Sequence, residues 1–413
     1  MKEIIQAYKR VDSNIYKIIW AQFFFQLMNA SFSLLRNYFM LSKGYKDFEI
    51  ANFTSYNYIA ITLIAFPLGL YIKGKKLRSW FITAMCFLPV IAFLEIYSID
   101  HRLNGLITLS MFCWGIAFAC LSATVTPYLL LNSKTETHTE VMALTFQTFT
   151  FSMIIVGITH YLIKFIVPVL AVDRNFLYGV SFISAFGLIF LFRINNKEIT
   201  SERVPLSKAY KTYDWQRIFA TLIPTTIIAI GAGLTIQFIN LFFENVHGVQ
   251  SSTFAVMGAS TYILVALGTF IIPTVKRNFG YKVAITWVQV AAILILAGLA
   301  TTEWYKEHWY AVYIAIFLFI IRQPLMNVAA PMTSELTMNY VGEKNRELVS
   351  SLTASIWSGS WFFSAKIFEL LRSLDIGYSY ILLITAFMYS IGVYGYNVLI
   401  KKYYAQMSQL ANE

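Results

Sequence analysis

Arg322 is the residue whose type and position demand a chemical explanation first. It lies near the middle of an apolar run, 309–334, with Gln323, Met326 and Asn327 within one helical turn. A charge at the centre of a bilayer costs about 2.5–3.5 kcal/mol on insertion scales, so an intramembrane arginine marks a functional site by default. None of the 21 Asp and Glu residues lies near the middle of any apolar run. Glu49, Glu95, Glu244 and Glu369 fall near one set of run ends, Glu140 and Glu335 near the other. A cation without a carboxylate in reach is satisfied either by carbonyls and side-chain amides or by an anionic ligand. The sequence leaves both open.

Two polar stripes accompany it. Gln22, Gln26, Asn29, Ser33 and Arg36 are spaced four, three, four and three apart, so they share one helix face. Thr226, Ile230, Gly233, Gln237, Asn240 and Glu244 form a second face in a later run. Such faces either line a wet cavity or hold helices together by hydrogen bonds. Trp357 and Trp361, four apart, either wall a pocket or pack in the core. Lys366 shares a face with Ser351, Ser355 and Ser358, while Arg36 and Lys164 fall toward run ends, where long cations reach the interface. His160 is the histidine set well inside an apolar run, and imidazole titrates near neutral pH.

Catalytic chemistry is not legible. There is no HExxH, nucleophile elbow, phosphate-binding glycine loop or CxxC pair, and Cys86, Cys113 and Cys120 all read as small buried hydrophobes. The chain is therefore expected to be no enzyme, to hold no metal and to need no cofactor.

The elements that must position these residues follow from composition. Apolar residues make up 58% of the 413, charged residues 13%, and the net charge is +11. A soluble domain carries about 25% charged residues, so this chain is solvated mostly by lipid. A spanning helix needs about 20 mostly apolar residues. Twelve runs qualify: 15–40, 47–72, 79–98, 105–131, 140–167, 175–193, 217–243, 252–274, 282–301, 309–334, 348–371 and 377–400. The longest polar stretch, 194–216, reads as a linker between an N-terminal six-helix bundle, 1–193, and a C-terminal one, 217–413. The fold class is an all-α membrane protein with two pseudo-symmetric six-helix bundles. With a cytoplasmic N-terminus, inner segments carry 22 Lys and Arg and outer loops six. That bias places both termini and the linker in the cytoplasm and the chain in the cell (inner) membrane.

The halves match at an offset of 204 residues. Pro127 falls on Pro331, and Gly69 in PLGLYIKGKKLRS falls on Pro273 in IIPTVKRNFGYK, so the basic loops after spans 2 and 8 coincide. Parallel repeats of six spans build a central cavity between two rocking bundles. This arrangement resembles the major facilitator superfamily of twelve-span secondary transporters. GAGLTIQFINLFFENVHGV, and IIRQPLMNVAAPMTSEL followed by Arg346, resemble segments of its bacterial members. The family's loop after span 2 usually carries an Asp and a second Gly; here Lys73 and Lys76 stand in those places. Glu335 and Arg346 flank the loop after span 10 and are expected to supply the inner charge pair.

The resemblance implies that spans 1, 4, 7 and 10 line a cavity, and that the protein is a monomer moving a small solute across lipid without nucleic acid. The expected substrate-binding set is Arg322, Gln26, Asn29, Gln237, Asn240, Asn327 and Trp357. Glu335, Arg346, His160 and Glu244 are expected to serve gating or coupling. The positive bias favours an organic anion or zwitterion. Export of amphipathic drugs or lipids stays open, as does a non-transporting sensor or scaffold on the same fold.

Overall fold

A computed structural model describes residues 8–72, 75–194, 213–342 and 345–410, which form helices and no strand. Most of the expected linker, 194–216, lies outside the described residues, as do Lys73 and Lys344. Twelve helical segments are present: α1 Ser13–Ser42, α2 Asp47–Ile72, α3 Arg78–Asp100, α4 Asn104–Leu131, α5 His138–Ile166, α6 Asp173–Phe192, α7 Trp215–His247, α8 Ser251–Tyr281, α9 Val288–Thr301, α10 Ala311–Val341, α11 Arg346–Ser373 and α12 Tyr378–Leu410. Among the described residues ten helical stretches are long and apolar enough to cross a membrane, α9 as part of the longer stretch Arg277–Tyr305. The other two, α2 and α11, carry Asp47, Glu49, Asn52 and Asn57, and Ser358, Ser364, Lys366 and Glu369. Their polar groups are used in contacts described below.

Helices are the structure such a sequence can form, because lipid offers no partner to a backbone N–H or C=O. Hydroxyls inside the spans are satisfied in the same way. Ser31, Thr124, Ser181 and Thr225 each donate to the carbonyl four residues back, at 2.8, 2.6, 2.7 and 2.8 Å. Two helices run past the apolar stretches that announce them: α10 to Val341 and α12 to Leu410. An apolar run ends where lipid ends, whereas a helix ends where its backbone is turned. At α10 that is Gly342, with φ +77°. Among the described residues three helices are interrupted, α8 at Gly280, where φ is +70°. α6 breaks between Ser184 and Gly187, and α7 breaks at Gln237 and Phe238.

The chain divides into two compact units. The first holds α1, α2 from Tyr56 onward, α3 to α6 and the start of α8, Gln250–Ala259; the second holds the start of α2, Asp47–Ser55, with α7, the rest of α8 and α9 to α12. So the start of α2 belongs with helices of the C-terminal half, and the start of α8 with helices of the N-terminal half. The two exchanged segments follow matching turns. Gly44 and Gly248 are 204 apart and both adopt positive φ, +78° and +64°. The left-handed conformation suits glycine, and it ends α1 and α7 abruptly.

Inside the first unit, two contacts bring backbones together. A Cβ on Gly115 would lie 2.2 Å from the Asn57 carbonyl, and one on Gly157 would lie 2.2 Å from the Ala255 carbonyl. Lipid gives helices no hydrophobic reason to associate, so close approach of small residues supplies the packing. Gly115→Ala and Gly157→Ala should each destabilise the purified protein by about 1–3 kcal/mol, the usual range for overpacking. Gly179→Ala, where nothing lies within 4 Å, should leave the melting temperature unchanged. Equal behaviour of all three variants in a thermal melt would contradict these contacts.

Candidate solute-binding and gating residues

Arg322 lies in the second unit, on α10, and is 2% exposed. Its Nη1 donates to Gln323 Oε1 at 3.0 Å and its Nη2 to the Tyr389 hydroxyl at 3.4 Å. The Tyr389 ring lies 5.7 Å from the guanidinium carbon, a cation–π distance. Gly231 on α7 makes room for that ring, since a Cβ there would sit 3.2 Å from two of its carbons. Nε is buried and has no hydrogen-bond partner. A guanidinium has five N–H donors, so the protein leaves part of this one unmatched. Among the described residues Arg322 forms no ion pair.

The nearby expected residues are placed unevenly. Asn327 is exposed and donates to the Gln323 carbonyl at 2.9 Å. Trp357 is 37% exposed and meets Trp361 edge-on at 6.4 Å. On α7, Gln237 stands at the helix break and its Nε2 donates to the Trp361 carbonyl at 3.3 Å. Asn240 is 3% exposed, with Oδ1 accepting from the Leu241 N–H. A Cβ on Gly233 would collide with Ser364, whose hydroxyl donates to the Ile230 carbonyl at 2.7 Å. Much of the α7 stripe therefore packs against α11 inside the second unit.

The α1 stripe, in the first unit, differs. Gln22, Gln26, Asn29 and Arg36 are half-buried and Ser33 is exposed, whereas their neighbours Ala30, Ser31, Phe32, Leu34 and Leu35 are buried. It is the accessible face of that stretch of helix. Gln26 and Asn29 bond to each other at 2.9 Å.

Arg36 corrects an expectation. It does not reach for the interface; its Nη1 lies 3.7 Å from Oε1 of Glu95 on α3, a carboxylate with no solvent exposure. Lys164 is exposed, as its position toward a run end suggests, and donates to Gln250 Oε1 at 2.8 Å.

Two polar clusters hold the exchanged segments. At the start of α2, Asp47 accepts from Arg372 Nε at 2.9 Å, the Tyr378 hydroxyl at 2.6 Å and Asn245 Nδ2 at 2.8 Å. The Arg372 guanidinium lies 4.4 Å from the Tyr378 ring centre, and Lys366 bridges Asn52 and Glu369 at 2.7 and 2.8 Å. At the start of α8, Ser251 donates to Asp173 Oδ1 at 2.7 Å. The same oxygen is 3.3 Å from His160 Nε2, an ion-pair distance without hydrogen-bond geometry, and His160 is completely buried. Asp47 and Ser251 are themselves 204 apart. Of the other expected gating residues, Arg346 is exposed and its Nε donates to the Met338 carbonyl at 3.1 Å, while Glu335 and Glu244 are half-buried. Sequence reasoning missed Tyr389, Asp47, Tyr378 and Asp173. Acidic residues in the first turn of α2 and α6 were the available signal for two of them.

Among the described residues no group of three His, Cys, Asp or Glu is placed to hold a metal ion. No protein-family model matches the chain, and no curated protein matches it by sequence. Solved structures do match. The POT family transporter PepTSo aligns over 95% of this chain and 98% of its own at 10% identity, with a TM-score of 0.75. A bacterial homologue of the iron transporter ferroportin, in an inward-facing state, covers 94% and 98% at 12% identity and a TM-score of 0.71. The nucleoside transporter NupG covers 94% and 100% at 14% identity and a TM-score of 0.66. The chain is thus a multi-span helical membrane protein with the fold of the major-facilitator type. That fold is shared by transporters of different kinds, among them a nucleoside transporter, a bacterial metal transporter and a POT family transporter.

The Asp47 cluster makes a quantitative expectation. Asp47→Ala and Arg372→Ala should each lower stability, and the double variant should lose less than the sum, with a coupling of about 0.5–3 kcal/mol. Tyr378→Phe should lose two bonds, the one its hydroxyl donates to Asp47 and the one it accepts from Asn245 at 3.0 Å. Strict additivity of the two alanine variants in thermal melts would show that the ion pair contributes nothing.

Proposed function

We propose that the protein is a secondary transporter that moves a small organic anion or zwitterion by alternating access, and that Arg322 recognises the anionic group. The observation that carries this reading is the unmatched guanidinium. A buried cation with no carboxylate and with unsatisfied donors is electrostatically incomplete, and an anionic solute completes it. Its planar fork suits a carboxylate or phosphate bound through two parallel bonds. Access to a residue so buried requires motion, and α10 is built to bend. Pro324 and Pro331 each remove a helical hydrogen bond near it.

In this reading the bundles 1–193 and 217–413, joined by 194–216, move about a central path. Gln26 and Asn29 present the accessible stripe, Gln237 and Asn240 lie beside the break in α7, and Asn327 and Trp357 contribute polar and aromatic surface. His160, with Asp173 and Ser251, acts as a gate that releases the start of α8, and Glu244 belongs to the same outer side. Glu335 and Arg346 form the inner gate. The chain works as a monomer in the cell (inner) membrane with cytoplasmic termini, and uses no nucleic acid and no cofactor.

The test is solute counterflow in proteoliposomes with a panel of organic anions, zwitterions, cations and neutral solutes. An anion or zwitterion should exchange. A bond to a charged group contributes about 1.5–3 kcal/mol, so Arg322→Gln should weaken that exchange roughly 10- to 100-fold. Arg322→Lys keeps the charge but loses the fork and should fall between. Exchange of neutral or cationic solutes alone, or unchanged anion exchange in a folded Arg322→Gln protein, would refute the reading.

A further inference from the structure

The Arg36 and Glu95 pair has a chemistry that the proposed transport cycle does not yet use. Glu95 has no solvent exposure, and neither of its carboxylate oxygens accepts a hydrogen bond. Among the described residues its charge is met by Arg36 alone, at 3.7 Å, and Arg36 Nε is itself buried without a hydrogen-bond partner. A buried ion pair repays its desolvation only with excellent geometry and further hydrogen bonds. This pair has neither. The next acidic residue of α3 is committed elsewhere. Asp100, farther along α3, is bound by Lys43 and by Arg174 at 3.1 Å. Tyr58 on α2 also lies within electrostatic reach of Arg36. A carboxylate held so weakly in its ionised form is one that takes a proton readily.

Position gives that proton a consequence. Arg36 closes the stripe Gln22, Gln26, Asn29, Ser33 on the accessible face of α1, whereas Glu95 lies behind it on α3. While Glu95 is ionised, Arg36 is neutralised. When Glu95 is protonated, Arg36 becomes an uncompensated cation at the end of the polar stripe of α1.

We propose that Glu95 is a proton-binding site, and that its protonation frees Arg36 as a second cation for an anionic solute on the α1 stripe. The step balances simply: a proton from water joins a Glu95 carboxylate oxygen, and the ion pair with Arg36 breaks. Proton and anion then bind with mutual support, because each favours the state the other needs and linkage is reciprocal. The anionic solute rests on the transport reading above; proton binding at Glu95 does not.

Proton binding is therefore measured first, without any solute, by infrared difference spectroscopy of the reconstituted protein as buffer pH is cycled. Wild type should show a carboxylic-acid C=O band that appears on acidification and vanishes on return. Glu95→Gln should lose that band and Glu95→Asp should restore one. Arg36→Gln, which removes the counter-charge at 3.7 Å, should hold the proton to higher pH and shift the band's midpoint upward. A wild-type spectrum with no reversible band, a band that persists in Glu95→Gln, or a midpoint unmoved in Arg36→Gln would overturn the proposal. If Glu95→Gln does not fold, the Arg36→Gln midpoint alone decides. The second measurement is the anion that exchanges in counterflow, added during the same titration. It should shift the wild-type midpoint upward and leave the Arg36→Gln midpoint in place. A clear Glu95 band with no such shift would leave the proton site standing and refute its link to the solute.

Discussion

A charge surrounded by lipid and protein must find its counter-charge in the protein, and the placement of helices in this molecule follows from that requirement. Arg36 turns to Glu95, Arg174 to Asp100 and Arg372 to Asp47. Each pair joins two helices that the sequence separates widely. The Asp47 cluster alone gathers the start of α2, the end of α7, the end of α11 and the start of α12. Arg322 departs from the pattern. It is the most deeply placed of these arginines in sequence terms, and its partners are an amide and a phenol rather than a carboxylate. The protein retains a cost there that a neutral side chain would remove, which is the physical reason to assign that position to a solute.

The exchanged segments show how the same logic links packing to motion. The nine residues Asp47–Ser55 and the ten residues Gln250–Ala259 are held outside the helical half that the chain order suggests. Both are held by polar groups, through Asp47 in one case and through Ser251 with Asp173 in the other. Directional bonds of this kind break as units, unlike hydrophobic contact, which fades with area. The glycine contacts at Gly115 and Gly157 are of a different nature. They fix helix to helix at backbone distance and tolerate no added atom. Rigid close packing and breakable polar clusters therefore coexist in the first unit, the first near helix centres and the second at helix starts.

Much of this was legible in the sequence. Spans were readable because lipid imposes a composition on whole runs of residues, and the starts of all these helices except α9 fall within two residues of the apolar runs. The 204-residue offset was readable from prolines, and Gly44, Gly248, Asp47 and Ser251 extend it. The partners were not readable. Glu95 reads as a run-end acid and Arg36 as a cation reaching for the interface, because sequence gives depth along a helix but not which neighbour lies beside it. The two stripes show the same limit. One periodicity describes both, yet the α1 stripe is accessible and the α7 stripe is largely packed against α11. The difference comes from Ser364 lying against Gly233, a contact between residues 131 apart in the chain.

The central claim is that the incomplete guanidinium of Arg322 belongs to an anionic solute. Ligand-dependent thermal stabilisation of the purified protein measures this most directly, since a ligand at 100 times its Kd stabilises the folded state by about 2.7 kcal/mol. The account predicts that at least one organic anion or zwitterion raises the melting temperature of wild type and that the rise disappears in folded Arg322→Gln. Stabilisation only by neutral or cationic solutes, or an anion-dependent rise of equal size without Arg322, would contradict it.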